Sequence, residues 1–312
     1  MSHGARPTPS DLFLGVDGGG SKTLAIIVDS TGHECGRGIA GSSNHEAVGH
    51  EQAVAALHAA VAAASAAAHV TMPVRAAWLG LAGVDHSRDV EMLLPRVSAF
   101  ASTVRLTNDA ELLLGALPHR IGVAVIAGTG SIALGRNELG ATVRAGGWGH
   151  VLGDEGSGYG IGREALQATV RAADGRGPAT TLLTSILNAW NLTGPESLME
   201  HVYQPFDKTS IAALAPLVLT HAAAGDLMSR RIVAHAAREL ALAVSTVADA
   251  LGFRRDHLPL AVGGGLLVHQ PRLRAQVLRR LASQWTITHV IVEEPALHAA
   301  SMLAAEDTPE RL

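Results

Sequence analysis

The chain has 312 residues, of which 47% are hydrophobic and 17% are charged, and its formal net charge is −4. This length favours two compact domains, and the composition is typical of a folded globular protein rather than a disordered one. The charge balance excludes the basic footprint of a nucleic-acid-binding protein. The single cysteine, Cys35, excludes an intramolecular disulfide framework and a Cys-only metal cluster within one chain.

The amino-terminal residues 1–11 are polar and contain proline, so we expect a flexible tail. They also lack the apolar core of a signal peptide. Residues 53–70 make up the longest apolar run, but most of them are alanine, which favours a packed helix over a membrane span. We therefore expect a cytoplasmic protein without membrane or nucleic-acid partners.

Three clusters of glycine each follow an apolar, strand-like run. After the first two clusters the chain forms another apolar strand, a polar turn and a third strand-like segment, which predicts hairpins at both places. One α/β unit used twice explains this layout, with a boundary near Leu117 and Pro118. Helical periodicity is predicted over residues 51–68, 89–101, 109–117, 162–173, 211–224, 227–251 and 270–284, whereas residues 175–205 show the weakest pattern.

The first cluster lies in the sequence Asp-Gly-Gly-Gly-Ser-Lys-Thr at residues 17–23. Glycines let backbone N–H groups approach a phosphate, hydroxyls add donors and the lysine adds charge. The sequence is not a Walker A loop, because a serine separates the last glycine from the lysine, and it is not a Rossmann fingerprint, because a strand follows it. Phosphate binding is thus predicted, against the alternative of a plain hairpin, for Gly18, Gly19, Gly20, Ser21, Lys22 and Thr23.

The other two clusters are predicted to contribute to the same nucleotide site. Gly128, Thr129 and Gly130 repeat the chemistry of the first turn, and two such hairpins indicate a nucleotide clamped between two lobes. The third cluster, Gly263, Gly264 and Gly265, could lie against adenine or ribose, and a helix-start turn without a ligand is an equal alternative.

Two aspartates are candidates for the chemistry. Asp109 follows a strand-like segment and begins a helix, where a carboxylate is also an ordinary first-turn residue. Its place before the second lobe favours a general base that accepts the proton of a sugar hydroxyl, with Asn108 beside it as a sugar contact. Asp17 is the predicted ligand of Mg²⁺, through water.

The densest motif, residues 146–160, combines glycines with an indole and carboxylates, which suit a sugar ring and its hydroxyls. Gly147, Trp148, Asp154 and Glu155 are the predicted sugar-binding residues there. A metal site of His150 with Asp154 and Glu155 is the alternative, but its spacing fits no standard site. A polar loop with Asn44 and His45 is predicted to line the same cleft, although His45 could equally be a solvated loop histidine.

Together these motifs resemble the N-acetylglucosamine kinases, which belong with the BadF/BadG/BcrA/BcrD-type ATPases, over residues 12–304. The likeness rests on residues 17–23, 43–44, 108–110, 128–131, 146–150 and 153–157. It implies an α/β fold of two ribonuclease-H-like lobes of the actin/hexokinase-like type, with an interlobe cleft that closes over ATP, Mg²⁺ and the sugar. The lobes would span residues 12–117 and 118–294, and a last helix at 295–304 would return to the first lobe.

The resemblance implies a homodimeric kinase in which Asp109 is the base for the 6-hydroxyl of N-acetylglucosamine. Asn44, Gly147, Trp148 and Asp154 match its sugar contacts, and Ser21 and Thr129 match its phosphate contacts. Mammalian members carry tryptophan directly after the loop asparagine, where this chain has His45, so glucosamine and N-acetylmuramic acid remain alternative substrates.

Two functions of other classes stay open. A non-catalytic sugar sensor of this fold typically carries an added DNA-binding domain, for which the segment before Leu12 is too short. A partner-coupled ATPase is disfavoured by the sugar-like motif and Asp109. Iron–sulfur activators within the same family need two cysteines per subunit, and Cys35 is the only one here.

Overall fold

The computed structural model describes residues 8–84, 86–204 and 206–307. Residues 1–7 of the predicted tail lie outside this range, and Pro9–Asp11 form a 3₁₀ turn. The strands are β1 (Leu12–Gly18), β2 (Thr23–Asp29), β3 (Glu34–Ala40), β4 (Val74–Leu81), β5 (Ala101–Thr107), β6 (Gly122–Ala127), β7 (Ser131–Arg136), β8 (Thr142–Gly146), β9 (Leu258–Gly263) and β10 (Ile287–Ile291). The helices are α1 (His45–Val48), α2 (His50–Ala68), α3 (Ser87–Val97), α4 (Asp109–Leu114), α5 (Gly149–Leu152), α6 (Gly158–Ala173), α7 (Leu182–Ala189), α8 (Ser197–Tyr203), α9 (Lys208–Ala212), α10 (Ala215–Ala223), α11 (Leu227–Ala250), α12 (Gly265–His269), α13 (Pro271–Ala282) and α14 (Pro295–Asp307).

The strands form two five-stranded sheets with the same layout. The first has the order β3-β2-β1-β4-β5, in which β1, β2 and β3 are antiparallel neighbours and β1, β4 and β5 run parallel. The second has the order β8-β7-β6-β9-β10 and the same pattern of directions. This repetition, with helices between strands, confirms the predicted α/β class.

The chain divides into two compact units. Unit one contains the described residues up to Arg120 together with those from Glu294 onward, and unit two contains Ile121–Glu293. Helix α14 contacts β1, β2 and β4, so the end of the described chain belongs to unit one. The sequence placed the boundary near Leu117 and Pro118, and the structure places it between Arg120 and Ile121.

The sheet of unit one is covered on both faces. Side chains alternate along β1, so that Leu12, Leu14 and Val16 join one core cluster and Phe13 joins another. The first cluster includes residues of α2 and α3, and the second includes residues of α14 and Trp78. Burial on both faces is why these strands read as nearly continuous apolar runs in the sequence.

Glycines let helices lie directly on this sheet. A Cβ at Gly15 would collide with the carbonyl oxygen of Ala296 in α14. Gly36 and Gly38 of β3 likewise face the backbone of α2, which explains why that helix is rich in alanine.

No single helix among the described residues is long and apolar enough to cross a membrane. One pair of helices bent by 118°, Lys208–Ala223 with Leu227–Ala250, passes that test by length and composition only.

Unit two is built around α11, whose amino terminus is fixed by Asp226. The Asp226 carboxylate accepts hydrogen bonds from the backbone N–H groups of Ser229 (2.8 Å) and Thr181 (2.9 Å) and from the hydroxyl of Thr180 (3.0 Å). Burial alone would raise the pKa of Asp226, but these hydrogen bonds lower it overall. The carboxylate therefore joins the start of α11 to the segment that leads into α7.

Several predictions of secondary structure differ from the structure in their bounds. The predicted helix 211–224 is two helices, α9 and α10, because Pro216 suits the first turn of a helix but not its interior. The helix predicted over 89–101 ends at Val97, since Ala101 already pairs in β5. The weakly patterned stretch 175–205 contains α7 and α8, and Pro205 lies outside the described residues.

We expect Gly15→Ala to destabilise the protein by about 3 kcal/mol or more, because the backbone of α14 leaves no room for a methyl group. Gly41→Ala is the matched control, since nothing lies within 4 Å of a Cβ there, and its effect should stay within about 0.5 kcal/mol. Urea unfolding followed by circular dichroism measures both. Equal midpoints for the two variants would contradict the close approach at Gly15.

Candidate active site

The carboxyl ends of the parallel strands in unit one bring the predicted Mg²⁺ ligand, Asp17, and the predicted general base, Asp109, to one edge. In the sheet register Asp17 pairs with Gly80, and Gly80 pairs with Thr107. Two strand spacings therefore separate Asp17 from Thr107, which is about 10 Å between Cα atoms. Asp109 begins α4 two residues after Thr107, so both carboxylates lie at this edge.

Asp17 has an unusual environment for a carboxylate. It is half-buried at the end of β1, next to the glycine turn. Burial raises the pKa of Asp17 to about 6, and the nearby charge of Lys22 opposes that rise. A bound cation would stabilise the ionised form that burial disfavours.

The first glycine turn is a tight hairpin between β1 and β2. The backbone N–H of Gly19 donates to the carbonyl of Lys22 (2.9 Å), and nothing lies within 4 Å of a Cβ at Gly20. The hydroxyl of Thr23 is fully buried and lies 2.8 Å from the carbonyl oxygen of Gly41 and 2.9 Å from Ser43 Oγ. Thr23 thus fastens the turn to the following loop.

Both predicted sugar-binding asparagines are helix N-caps. The side-chain oxygen of Asn44 accepts the N–H of Glu46 (3.0 Å), and that of Asn108 accepts the N–H of Ala110 (2.9 Å). These bonds fix the side chains at the starts of α1 and α4. The capping bond at Asn108 also orients the first turn of α4, which carries Asp109.

The structure corrects the description of His45 as a loop residue. His45 begins α1, and its ring is buried, stacked on His50 with centroids 4.8 Å apart. Its Nε2 lies 3.8 Å from Oδ1 of Asp89. The alternative of a solvated loop histidine is therefore wrong, while a role for His45 in binding the sugar stays a prediction.

The second glycine turn, between β6 and β7, is held by the start of α6. Gly128 N–H donates to Gly130 O (2.9 Å) within the turn. The N–H groups of Gly158 and Tyr159, in the first turn of α6, donate to the carbonyls of Gly128 (2.8 Å) and Thr129 (3.2 Å). The shape of this turn therefore depends on the position of α6.

The third glycine cluster lies beside the second turn. Gly263 ends β9, which pairs with β6, and Gly264 has φ +82° and faces the backbone of Ala127. Gly265 begins α12, and its N atom lies 3.8 Å from a Cβ built at Gly128. Two predicted parts of the nucleotide site thus share one edge of the second sheet. The close approach at Gly264 also gives this cluster a packing reason.

Asp154 is buried in the second unit and has both carboxylate oxygens occupied. It is 3% exposed and adopts φ +64°. Its Oδ1 accepts the N–H of Ser131 (3.0 Å), and its Oδ2 lies 2.7 Å from Nζ of Lys208. Sequence reasoning did not select Lys208 as a site residue. The available signal was its rarity, since the chain has only two lysines.

The rest of the dense motif presents aromatic surface. Trp148 is 62% exposed, and the Arg144 guanidinium lies 4.7 Å from its ring centroid. Gly147, which precedes Trp148, adopts φ +72°, and a Cβ there would lie 2.8 Å from Cδ1 of Ile132. The side chain of Glu155 is exposed, while its backbone carbonyl accepts the hydroxyl of Ser131 (2.7 Å).

The metal alternative for this motif gains no support from the donor atoms. The His150 ring stacks on Phe206, with centroids 5.2 Å apart. Within residues 8–84, 86–204 and 206–307, the metal-ligating atoms that cluster, all within 4.8 Å of one another, belong to Asp29, His33 and Cys35. Oδ1 of Asp29 already accepts the N–H of Thr31 (2.8 Å), so this group is explained by its turn.

Comparison with known proteins identifies the family. Residues 14–296 match the sequence model of the BadF/BadG/BcrA/BcrD ATPase family. The chain belongs to this family. It is 35% identical over 259 residues to the N-acetylmuramic acid/N-acetylglucosamine kinase of Clostridium acetobutylicum. The aligned region covers 81% of this chain and 85% of that kinase.

The chain is also similar to a second sugar kinase and to a solved structure. The chain is 34% identical over 271 residues to the N-acetyl-D-glucosamine kinase of Dictyostelium discoideum, covering 82% of this chain and 85% of that protein. The crystal structure of a provisionally named N-acetylglucosamine kinase from Chromobacterium violaceum superposes with a TM-score of 0.77 at 28% identity, covering 95% of this chain and 99% of the other. The two five-stranded sheets are those of actin/hexokinase-like ATPases, as predicted.

We expect Asp17→Asn to stabilise the ligand-free protein at pH 7.5. Because the pKa of Asp17 is raised in the folded state, its contribution is most favourable below the unfolded value near 4 and is lost as the pH rises through about 6. The ionised carboxylate therefore lowers the free energy of unfolding at neutral pH, by at most about 3 kcal/mol.

Thermal unfolding at two pH values measures this effect. The melting temperature of Asp17→Asn should exceed that of the wild type at pH 7.5, and the two should converge at pH 4. A variant that melts at or below the wild-type temperature at pH 7.5 would show that the buried, ionised carboxylate of Asp17 does not destabilise the folded protein.

Proposed function

We propose that this family member is an ATP-dependent amino-sugar kinase that phosphorylates the 6-hydroxyl of N-acetylglucosamine. The observation that carries the proposal is the pair of carboxylates, Asp17 and Asp109, at one edge of the first sheet, directly beside a glycine turn. The names of the Clostridium acetobutylicum and Dictyostelium discoideum relatives support an amino sugar as the phosphate acceptor.

Asp109 is the proposed general base. It accepts the proton of the sugar 6-hydroxyl while the bond from O6 to the γ-phosphorus forms and the bond from that phosphorus to the β–γ bridging oxygen breaks, releasing ADP. Its position at the first turn of α4, after the Asn108 cap, fixes the carboxylate relative to the sheet. Such positioning supplies much of the rate in phosphoryl transfer.

The glycine turns are the proposed phosphate contacts. In unit one these are Gly18, Gly19, Gly20, Ser21 and Lys22, with buried Thr23 supporting the turn from behind. In unit two they are Gly128, Thr129 and Gly130, and residues 263–265 beside them would face the nucleoside. Mg²⁺ bound with ATP would neutralise phosphate charge. The half-buried carboxylate of Asp17 would hold this ion through the ion's water ligands.

The sugar contacts follow from the exposed and capping side chains. The proposed platform for the pyranose ring is Trp148, since an exposed indole offers a flat apolar face. Asn44, Asn108, Gly147 and Glu155 are further proposed contacts. Asp154, also a predicted sugar contact, is 3% exposed and its carboxylate is held by Ser131 and Lys208, so we propose that it supports the second turn from behind instead. His45 stands where mammalian relatives carry tryptophan, so glucosamine and N-acetylmuramic acid are tested alongside N-acetylglucosamine.

The experiment is ADP release from Mg-ATP with each of these three sugars, with glucose and without sugar. We expect one amino sugar to stimulate release strongly, and Asp109→Asn to reduce that turnover by about 100-fold or more while sugar still binds. Glu111→Gln removes a charge from the same helix and is the matched control, expected to keep near-normal turnover. Carbon-13 and phosphorus-31 NMR of the product should place the phosphate on O6.

Each other outcome has a definite meaning. Equal ADP release with and without sugar would reject the kinase and favour a partner-coupled ATPase. Sugar binding without ADP release would favour a non-catalytic sensor. Near-normal turnover in Asp109→Asn would reject Asp109 as the base. The homodimer and the cytoplasmic location stay predictions, of which size-exclusion chromatography with light scattering tests the first.

A further inference from the structure

We propose that Lys208 is a positioning residue of the nucleotide site, which compensates the buried charge of Asp154 behind the second phosphate-binding turn. This inference rests on the proposed function, because it concerns how that turn accepts phosphate. Every contact that carries it lies within unit two.

The carboxylate of Asp154 is in direct contact with the turn. Its Oδ1 accepts the N–H of Ser131, and a Cβ at Gly130 would lie 2.7 Å from the same oxygen. The carboxylate thus accepts a hydrogen bond from the backbone N–H group that directly follows the turn. It also places a negative charge next to backbone groups that are proposed to receive the negative phosphates of ATP.

Lys208 is placed to cancel that charge. Its Nζ lies 2.7 Å from Oδ2 of Asp154, and its side chain is 30% exposed while that of Asp154 is 4% exposed. An ionised carboxylate buried without a partner is strongly unfavourable, and it would repel an anion bound at the turn through a medium of low dielectric constant. With Lys208 present, the pair is neutral and the phosphates meet no net negative charge there.

The fold fixes Lys208 in this position. It is the first residue of α9, directly after the N-cap Asp207, whose carboxylate accepts the N–H of Thr209 (2.8 Å). Helix α9 lies against α6 at glycines: a side chain at Gly162 would collide with the carbonyl of Ile211, and a Cβ at Gly158 would lie 3.2 Å from the carbonyl oxygen of Ala212. Helix α6 in turn holds the second turn, so one packing contact positions both the lysine and the turn.

Charge compensation makes predictions of opposite sign for the two partners. Removing the positive charge leaves an anion behind the turn, so nucleotide should bind more weakly. Removing the negative charge leaves a cation there, and the asparagine oxygen can still accept the N–H of Ser131, so nucleotide should bind equally well or more tightly. A purely structural role for the pair would weaken binding in both cases, because both changes break the same contact.

The test is calorimetric binding of Mg-AMPPNP without sugar to the full chain and its variants. We expect Lys208→Met to raise the Kd about tenfold and Lys208→Arg to stay within about threefold of the wild type. Asp154→Asn should bind no more weakly than the wild type. The double variant Lys208→Met with Asp154→Asn should recover to within about threefold, which a double-mutant cycle expresses as a coupling between the two charges.

Arg254→Met is the matched control. It removes another cation of unit two, from an ion pair with Asp256 in which the arginine side chain is 84% exposed, and it should leave the Kd unchanged. Thermal unfolding checks that each variant is folded. If Lys208→Met does not fold, Asp154→Asn and the double variant decide, because neither leaves a buried anion unpaired.

The inference is overturned if Lys208→Met binds Mg-AMPPNP as tightly as the wild type. It is equally overturned if Asp154→Asn weakens binding as much as Lys208→Met does, or if the double variant fails to recover. If the wild type neither binds Mg-AMPPNP nor releases ADP when sugar is added, the proposed function is rejected. If the wild type releases ADP with sugar, the proposed function stands and the binding results of the variants test the role of Lys208 alone.

Discussion

The parallel pairing of the first strand with the fourth strand in each sheet is the constraint on which the candidate site depends. Parallel strands end at the same edge, so the hairpin turn after the first strand lies beside whatever follows the fourth. In unit one this edge carries the first glycine turn, Asp17 and, after the next parallel strand, Asp109. In unit two it carries the second and third glycine clusters.

Close helix–sheet packing keeps these edges in place. The helices approach the strands at glycines, as at Gly15 under α14 and Gly38 under α2, so that backbone meets backbone without side chains between them. Well-packed interiors of this kind resist small displacements. We expect turns held by such packing to lose little entropy when a ligand binds.

Buried charge is handled differently at the two turns. Asp17 is half-buried, the nearby charge of Lys22 opposes the rise in its pKa, and its carboxylate gains a partner in the proposed complex with a cation. Asp154 is more deeply buried and has its partner already, in Lys208. The first arrangement favours binding of a positive ion, and the second keeps the turn electrically neutral for a negative one.

The sequence by itself determined the α/β class, the two glycine hairpins and the candidates Asp17 and Asp109. These features depend on local pattern: glycine permits tight turns, and an apolar run followed by a polar residue marks the end of a buried strand. The family followed from the same motifs, and residues 14–296 confirm it.

Only the tertiary structure decided what each polar side chain contacts. Lys208 and Asp154 are 54 residues apart in the chain and meet because α9 packs on α6. His45 is buried against His50 and Asp89, and Thr23 turns its hydroxyl inward, although both follow polar or glycine-rich segments that indicate exposure. Sequence pattern reports the spacing of side chains along one element, whereas the partner of a buried polar group is set by contacts between elements.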